Sequence, residues 1–204
     1  MQPFTVLTGI AAPMMMPDIN TDAITPMAAG RSTSQDIGKL LFANWRYTMD
    51  GAEIPEFILN KAPFREANII VAGPNFGCGS SRERAVWALI RFGIRCVIAP
   101  SFADIFRENS YQNGLLPVVL PAEACAALGA QLAQMQDPRI TVDLQSGVVI
   151  GPDTRELSFS VPAERREALM EGLAEIDVIL RMTQDIDNFQ QADRVQRPWI
   201  YLNP

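Results

Sequence analysis

Short apolar runs, each followed by glycines or a helical repeat, organise the first two thirds of the chain. Residues 4–9 predict a strand. Residues 68–72 (Asn-Ile-Ile-Val-Ala) predict a buried one, followed by a glycine-rich loop over 73–79 and a helix over 81–92. Ala85, Leu89 and Phe92 recur at helical spacing, and Gly93 suits the left-handed residue that closes a helix. A second strand over 95–99 completes a strand-loop-helix-strand unit, the signature of an α/β fold. Residues 101–109 predict a helix capped by Ser101, 115–120 a strand, and 121–135 an alanine-rich helix opened by a proline. Strands over 140–144 and 157–161 are expected around a hairpin that begins at Ser146-Gly147. Residues 36–47 predict a short helix, and the tail from Pro162 two or three polar ones. Residues 11–34, with three prolines and the polar knot Asp18-Ile19-Asn20-Thr21-Asp22, predict a functional loop or lid, with plain disorder as the alternative.

Composition narrows the chemistry. The 204 residues hold 17 Lys plus Arg against 23 Asp plus Glu, a formal charge of −6, and no His. An acidic balance argues against nucleic-acid or anionic-membrane surfaces, which want clustered cations. Without His, general acid–base work and metal ligation must use other groups. Cys78, Cys96 and Cys125 are widely spaced, with no CxxC pair, so neither a disulfide framework nor a metal site is written in the cysteines. The first basic residue is Arg31 and no apolar run reaches the ~18 residues of a membrane span, so an untargeted cytoplasmic protein is expected.

Asn75-Phe76-Gly77-Cys78-Gly79-Ser80-Ser81-Arg82-Glu83 joins the buried strand to its helix. Glycines there let backbone N–H groups approach a ligand, and a helix N-terminus favours an anion. The motif is not a nucleotide loop, lacking both the Lys-Ser/Thr ending and the GxGxxG spacing. Arg82 stands against the field of the helix dipole, which points to a ligand carboxylate offsetting it. The competing reading is structural: Ser80-x-x-Glu83 fits a capping box and Arg82 is simply solvated. A serine acting as base here needs neighbouring N–H donors or cations, and the loop offers both.

This loop, with Trp87-Ala88-Leu89, Gly93-Ile94, Val97-Ile98-Ala99, Ser101-Phe102-Ala103-Asp104-Ile105-Phe106 and Gly114-Leu115-Leu116-Pro117, resembles the small subunits of 3-isopropylmalate dehydratase, in the aconitase superfamily. Asn20-Thr21-Asp22-Ala23-Ile24, Trp45-Arg46-Tyr47 and Glu171-Gly172-Leu173-Ala174-Glu175-Ile176-Asp177 extend the likeness nearly end to end. The resemblance implies a single swivelling β/β/α domain of the aconitase C-terminal type over 1–204, with a substrate lid at about 14–35. It implies a hydro-lyase subunit of leucine biosynthesis, active only with a large subunit that carries a [4Fe–4S] cluster. No cofactor is expected on this chain, and the substrate is a small di- or tricarboxylate. Ser80 matches the family's base and Asp22 its acidic site residue; Ser81, Arg82, Thr21 and Arg31 match substrate-binding positions, an arginine suiting a carboxylate through its bidentate donors.

Two departures stand out. Arg84 occupies the position where the family carries a His after Arg-Glu, and Met27-Ala28-Ala29-Gly30 is small where bulky apolar lid residues are usual. Both keep open a paralogous hydro-lyase acting on another substituted malate or a citrate-like acid, and a non-catalytic partner of a large subunit is the third reading. Trp45-Arg46-Tyr47 either faces a partner or packs the core, and Cys78 is expected to pack rather than react.

Overall fold

Alternation along the strands decides the layering. A computed structural model describes residues 1–26, 37–80 and 82–201. In it β1 (Val6–Met14), β2 (Ile69–Ala72), β3 (Cys96–Ala99) and β4 (Leu116–Val119) run parallel in the order β4-β3-β2-β1, and the sheet continues antiparallel through β5 (Arg139–Asp143), β6 (Val148–Ile150) and β7 (Glu156–Ser158). Successive side chains of a strand point to opposite faces. Ile10, Ala12, Met14, Ile70, Ala72, Val97 and Ala99 therefore share one core with Ala85, Val86, Ala88 and Leu89 of α3 (Glu83–Phe92). Ala11, Ile69, Val71, Cys96, Ile98, Leu116 and Val118 share the other, against Cys125, Leu128 and Leu132 of α5 (Ala122–Gln134) and Leu169 of α6 (Ala163–Glu171). Both faces of the parallel half are buried, which is why those strands are continuous apolar runs.

The strand-loop-helix-strand unit forms as its pattern predicts, and Gly93 closes α3 at φ 118°. Three expectations shift. The first strand extends to Met14 rather than ending at residue 9, because β1 pairs with β5 over Val6–Ile10 and with β2 over Ala11–Met14. Pro13 is tolerated there: Ala11 N–H donates to Pro138 O on the β5 side at 2.9 Å, and two residues on β5 has ended, so no ladder bond is lost. The expected lid thus begins after Met14; residues 15–26 are ordered and include the single turn α1 (Thr21–Ile24), while residues 27–35 lie outside the described residues. The hairpin at Ser146-Gly147 pairs β5 with β6, a three-residue strand too short to register as a pattern, before β7 adds outside it.

The segment expected as one helix near residues 36–47 is a 3-10 turn (Ile37–Leu40) followed by α2 (Ala43–Arg46). Trp45-Arg46-Tyr47 packs the core side. Arg46 is 7% exposed, its Nε donates to Asn60 Oδ1 at 3.1 Å, and its guanidinium lies over the rings of Tyr47 and Phe92. Burial lowers the Arg46 pKa. The tail holds α6, α7 (Glu175–Arg181) and α8 (Thr183–Gln196). No helix among the described residues is long and apolar enough to cross a membrane.

Candidate active site

The carboxyl ends of parallel strands are where α/β sheets bind ligands, and here three successive connections meet at that edge. The loop after β2 lies between the segments that follow β1 and β3. On one side Asp18 N–H donates to Pro74 O (3.0 Å), Gly77 N–H to Ile19 O (2.7 Å) and Thr21 N–H to Cys78 O (2.8 Å). On the other, Phe76 N–H donates to Ser101 O and Ala103 N–H to Phe76 O, both at 3.0 Å, and Asn75 N–H donates to Ser101 Oγ at 2.8 Å. The serine loop is thus held like a strand between two neighbours.

That use of Ser101 explains a further shift. Its hydroxyl serves the loop and caps no helix, so α4 (Asp104–Asn113) begins three residues later than the sequence pattern predicts. Beneath the loop Phe76, Phe102 and Phe106 form an aromatic cluster, with Phe76 and Phe106 centroids 5.3 Å apart. Gly77 sits directly on it at φ 77°; a Cβ there would lie 2.1 Å from the Phe106 ring. Only glycine fits.

The loop delivers Ser80 to the rim. Thr21, 1% exposed, donates from Oγ1 to Ser80 O at 2.8 Å, while its Oγ1 stands 3.5 Å from Ser80 Oγ. The threonine hydroxyl is therefore spent on the serine's backbone, and the serine hydroxyl is left exposed. Asn20 fixes the other end of this contact by accepting Ala23 N–H at the start of α1. Arg82 precedes α3 and its guanidinium pairs with the carboxylate of Asp22, so the offsetting carboxylate expected from Arg82's position is, in this structure, supplied sixty residues upstream.

The capping-box reading of Ser80 and Glu83 does not hold: α3 starts at Glu83 with Arg82 before it, no side chain caps that end, and Glu83 instead accepts from Asn113 Nδ2 at 2.9 Å. A cleft of about 270 Å³ opens between the loop and α4, lined by Thr21, Gly77, Gly79, Ser80 and Arg82 and by Ala103, Asp104, Ile105 and Phe106. Thr21, Asp22, Ser80 and Arg82 are thus brought together across 60 residues of sequence, whereas Ser81 and Arg31 lie outside the described residues. Arg84 is half-buried on α3. Sequence reasoning missed the tie of Asn75 Nδ2 to Asp18 Oδ1 (2.7 Å); its signal is Asn75 itself, an asparagine at φ 61° inside a glycine loop. It also missed Ile105 as a lining residue. Cys78 is half-buried, and burial together with the charge of Asp18 raises its thiol pKa, which opposes a nucleophilic role. Among the described residues no group of three or more His, Cys, Asp or Glu side chains is placed to hold a metal ion.

A mixed sheet that presents a serine loop at the carboxyl edge of its parallel half defines a class: residues 1–123 match the family of aconitase C-terminal domains. The chain is 48% identical to a 3-isopropylmalate dehydratase small subunit of Cereibacter sphaeroides, over 98% of this chain and all of that one. It is 47% identical to the small subunit of Rhodospirillum rubrum, over 98% and 97%. A crystal structure of 3-isopropylmalate dehydratase from Methanocaldococcus jannaschii superposes with a TM-score of 0.64 at 25% identity, covering 90% of this chain and 98% of that one. The chain belongs to the 3-isopropylmalate dehydratase small-subunit family, whose members are hydro-lyase subunits.

Proposed function

We propose that this chain, assembled with a large subunit, interconverts 2-isopropylmalate and 3-isopropylmalate for leucine biosynthesis. Water leaves adjacent carbons to give an alkene diacid and returns with hydroxyl and hydrogen exchanged. The observation that carries the site assignment is that the Ser80 hydroxyl and the Arg82 guanidinium line the same cleft. A [4Fe–4S] cluster, expected on the large subunit by family likeness, would supply a Lewis acid for the substrate hydroxyl.

The roles of this chain's own residues follow from their placement. Arg82 holds the substrate carboxylate adjacent to the proton that is lost. It uses a single guanidinium nitrogen on Asp22, and a guanidinium has five N–H donors, so a second carboxylate is accommodated without breaking that pair. Ser80 Oγ takes the proton as base on dehydration and returns it on hydration; the Arg82 cation stabilises the alkoxide that this requires. Asp22 orients Arg82, and Thr21 fixes the serine backbone. Ser81 and Arg31 complete the carboxylate contacts by family likeness.

Ser80→Ala tests the assignment, reconstituted anaerobically with a 3-isopropylmalate dehydratase large subunit and followed by the near-ultraviolet absorbance of the alkene. A positioned general base is worth ~10²–10⁴-fold, so assembly is expected to persist while turnover falls by at least that lower figure. Full turnover in the variant complex would remove Ser80 from the chemistry. The paralogue reading is tested in the same assay: turnover confined to another substituted malate or a citrate-like acid would replace isopropylmalate as substrate.

A further inference from the structure

The first turn of α4 lines the cleft with three consecutive residues of different character. Asp104 pairs with Arg107 at 3.3 Å and its side chain is 89% exposed. Phe106 is 3% exposed and packs under the serine loop. Ile105 lies between them, 55% exposed, and lines the cleft that Ser80 and Arg82 also line. Among the described residues lining that cleft, it is the large apolar side chain left open to solvent. An isolated exposed isoleucine is ordinary on a protein surface. One that lines the same cleft as a guanidinium and a hydroxyl gives that cleft the mixed character of the ligand, a carboxylate beside an alkyl branch.

We infer that Ile105 is a specificity-determining residue that receives the alkyl branch of an alkyl-substituted malate while Arg82 holds the neighbouring carboxylate. The inference rests on the reading of Ser80 and Arg82 as the substrate site. Its β-branched side chain presents a stiff apolar surface, and the small side chain of Ala103 lines the same cleft. Truncating it removes contact with the branch and leaves the carboxylate grip untouched.

The test uses the reconstituted complex with 3-isopropylmalate and 3-methylmalate as paired substrates. Ile105→Ala is expected to lower kcat/KM for 3-isopropylmalate by ~10-fold or more and that for 3-methylmalate by less than ~3-fold, the scale on which an apolar pocket discriminates methylenes. Ile105→Phe is expected to exclude the isopropyl substrate and keep the methyl one. Equal losses for both substrates, whether or not assembly measured by gel filtration also weakens, would overturn the inference, as would unchanged ratios in both variants. Ser80→Ala in parallel separates the two levels of reasoning. An active Ser80 variant removes the site reading itself, whereas an inactive one beside unchanged Ile105 ratios removes only the specificity role.

Discussion

Thr21→Val isolates the contact that holds Ser80, the serine proposed as base. Valine matches threonine in shape at a position only 1% exposed, so packing is nearly preserved and the change is the loss of one hydroxyl. That hydroxyl donates to Ser80 O at 2.8 Å. An orphaned buried carbonyl costs about 1–3 kcal/mol, but Ser80 is exposed and water reaches it, which puts the expected loss nearer the net value of one hydrogen bond, about 1 kcal/mol. For a chain of this length that is a fall in Tm of about 2–4 °C. The kinetic effect is expected to be larger than the thermodynamic one. With its backbone released, Ser80 Oγ wanders over distances on the order of 1 Å, and a misplacement of that size costs ~10²-fold in rate. The loss should fall on kcat with KM little changed, because Arg82 keeps its partner Asp22. Thr21→Ser, which retains the hydroxyl, should recover most of kcat. Thermal melts and steady-state rates of the reconstituted complex measure both quantities. A Thr21→Val complex that loses the expected stability yet turns over within ~2-fold of the parent would show that the hydroxyl serves the fold and not the serine, and the positioning argument would be refuted.

Two further predictions concern parts of the fold that surround the site. Gly77→Ala places a Cβ 2.1 Å from the Phe106 ring at φ 77°, and left-handed strain plus displacement of a packed ring together cost about 2–4 kcal/mol; urea unfolding at unchanged slope with a midpoint equal to wild type would contradict this. The thiols give a pH signature. Burial pushes Cys125 up to about 11 from an ordinary 9.0 and raises Cys96 as well, so the folded state favours their protonated forms; the stability this lends is complete below pH 9 and is lost as pH rises through 11. Alkylation at pH 8 should therefore modify half-buried Cys78 slowly and the other two only in urea, and rapid labelling of all three in the native chain, read by mass spectrometry, would be the contrary result.

The parts of this fold legible in the sequence are those written in local periodicity. The run Ile69-Ile70-Val71-Ala72 and the Ala85, Leu89, Phe92 repeat of α3 need no distant partner to be read, and Gly93 marks its own helix end. What was illegible depends on partners far along the chain. Ser101 looks like a helix cap until Asn75 claims its hydroxyl, and Ser80 with Glu83 looks like a capping box until Asn113 claims the glutamate. Ala11-Ala12-Pro13-Met14 resembles a loop because of its proline, and becomes strand only because β2 pairs along one side of it. The site residues were reached through family likeness to the serine loop; the Arg82–Asp22 pair that joins two of them is a tertiary fact no spacing encodes. Ile105 escaped notice because, in sequence, it is one more apolar residue in a helix.

The divided pairing of β1 has an evolutionary corollary. Its first half is clamped by β5 and its second by β2, and only six residues separate Met14 from Thr21. A single residue inserted or deleted anywhere between Val6 and Thr21 would exchange the two faces of the central strand or shift Thr21 by about 3.3 Å relative to Ser80. Length variation among relatives is therefore expected to collect in the β6–β7 turn and the C-terminal helices, leaving the spacing from strand to threonine as the least negotiable measure in the molecule.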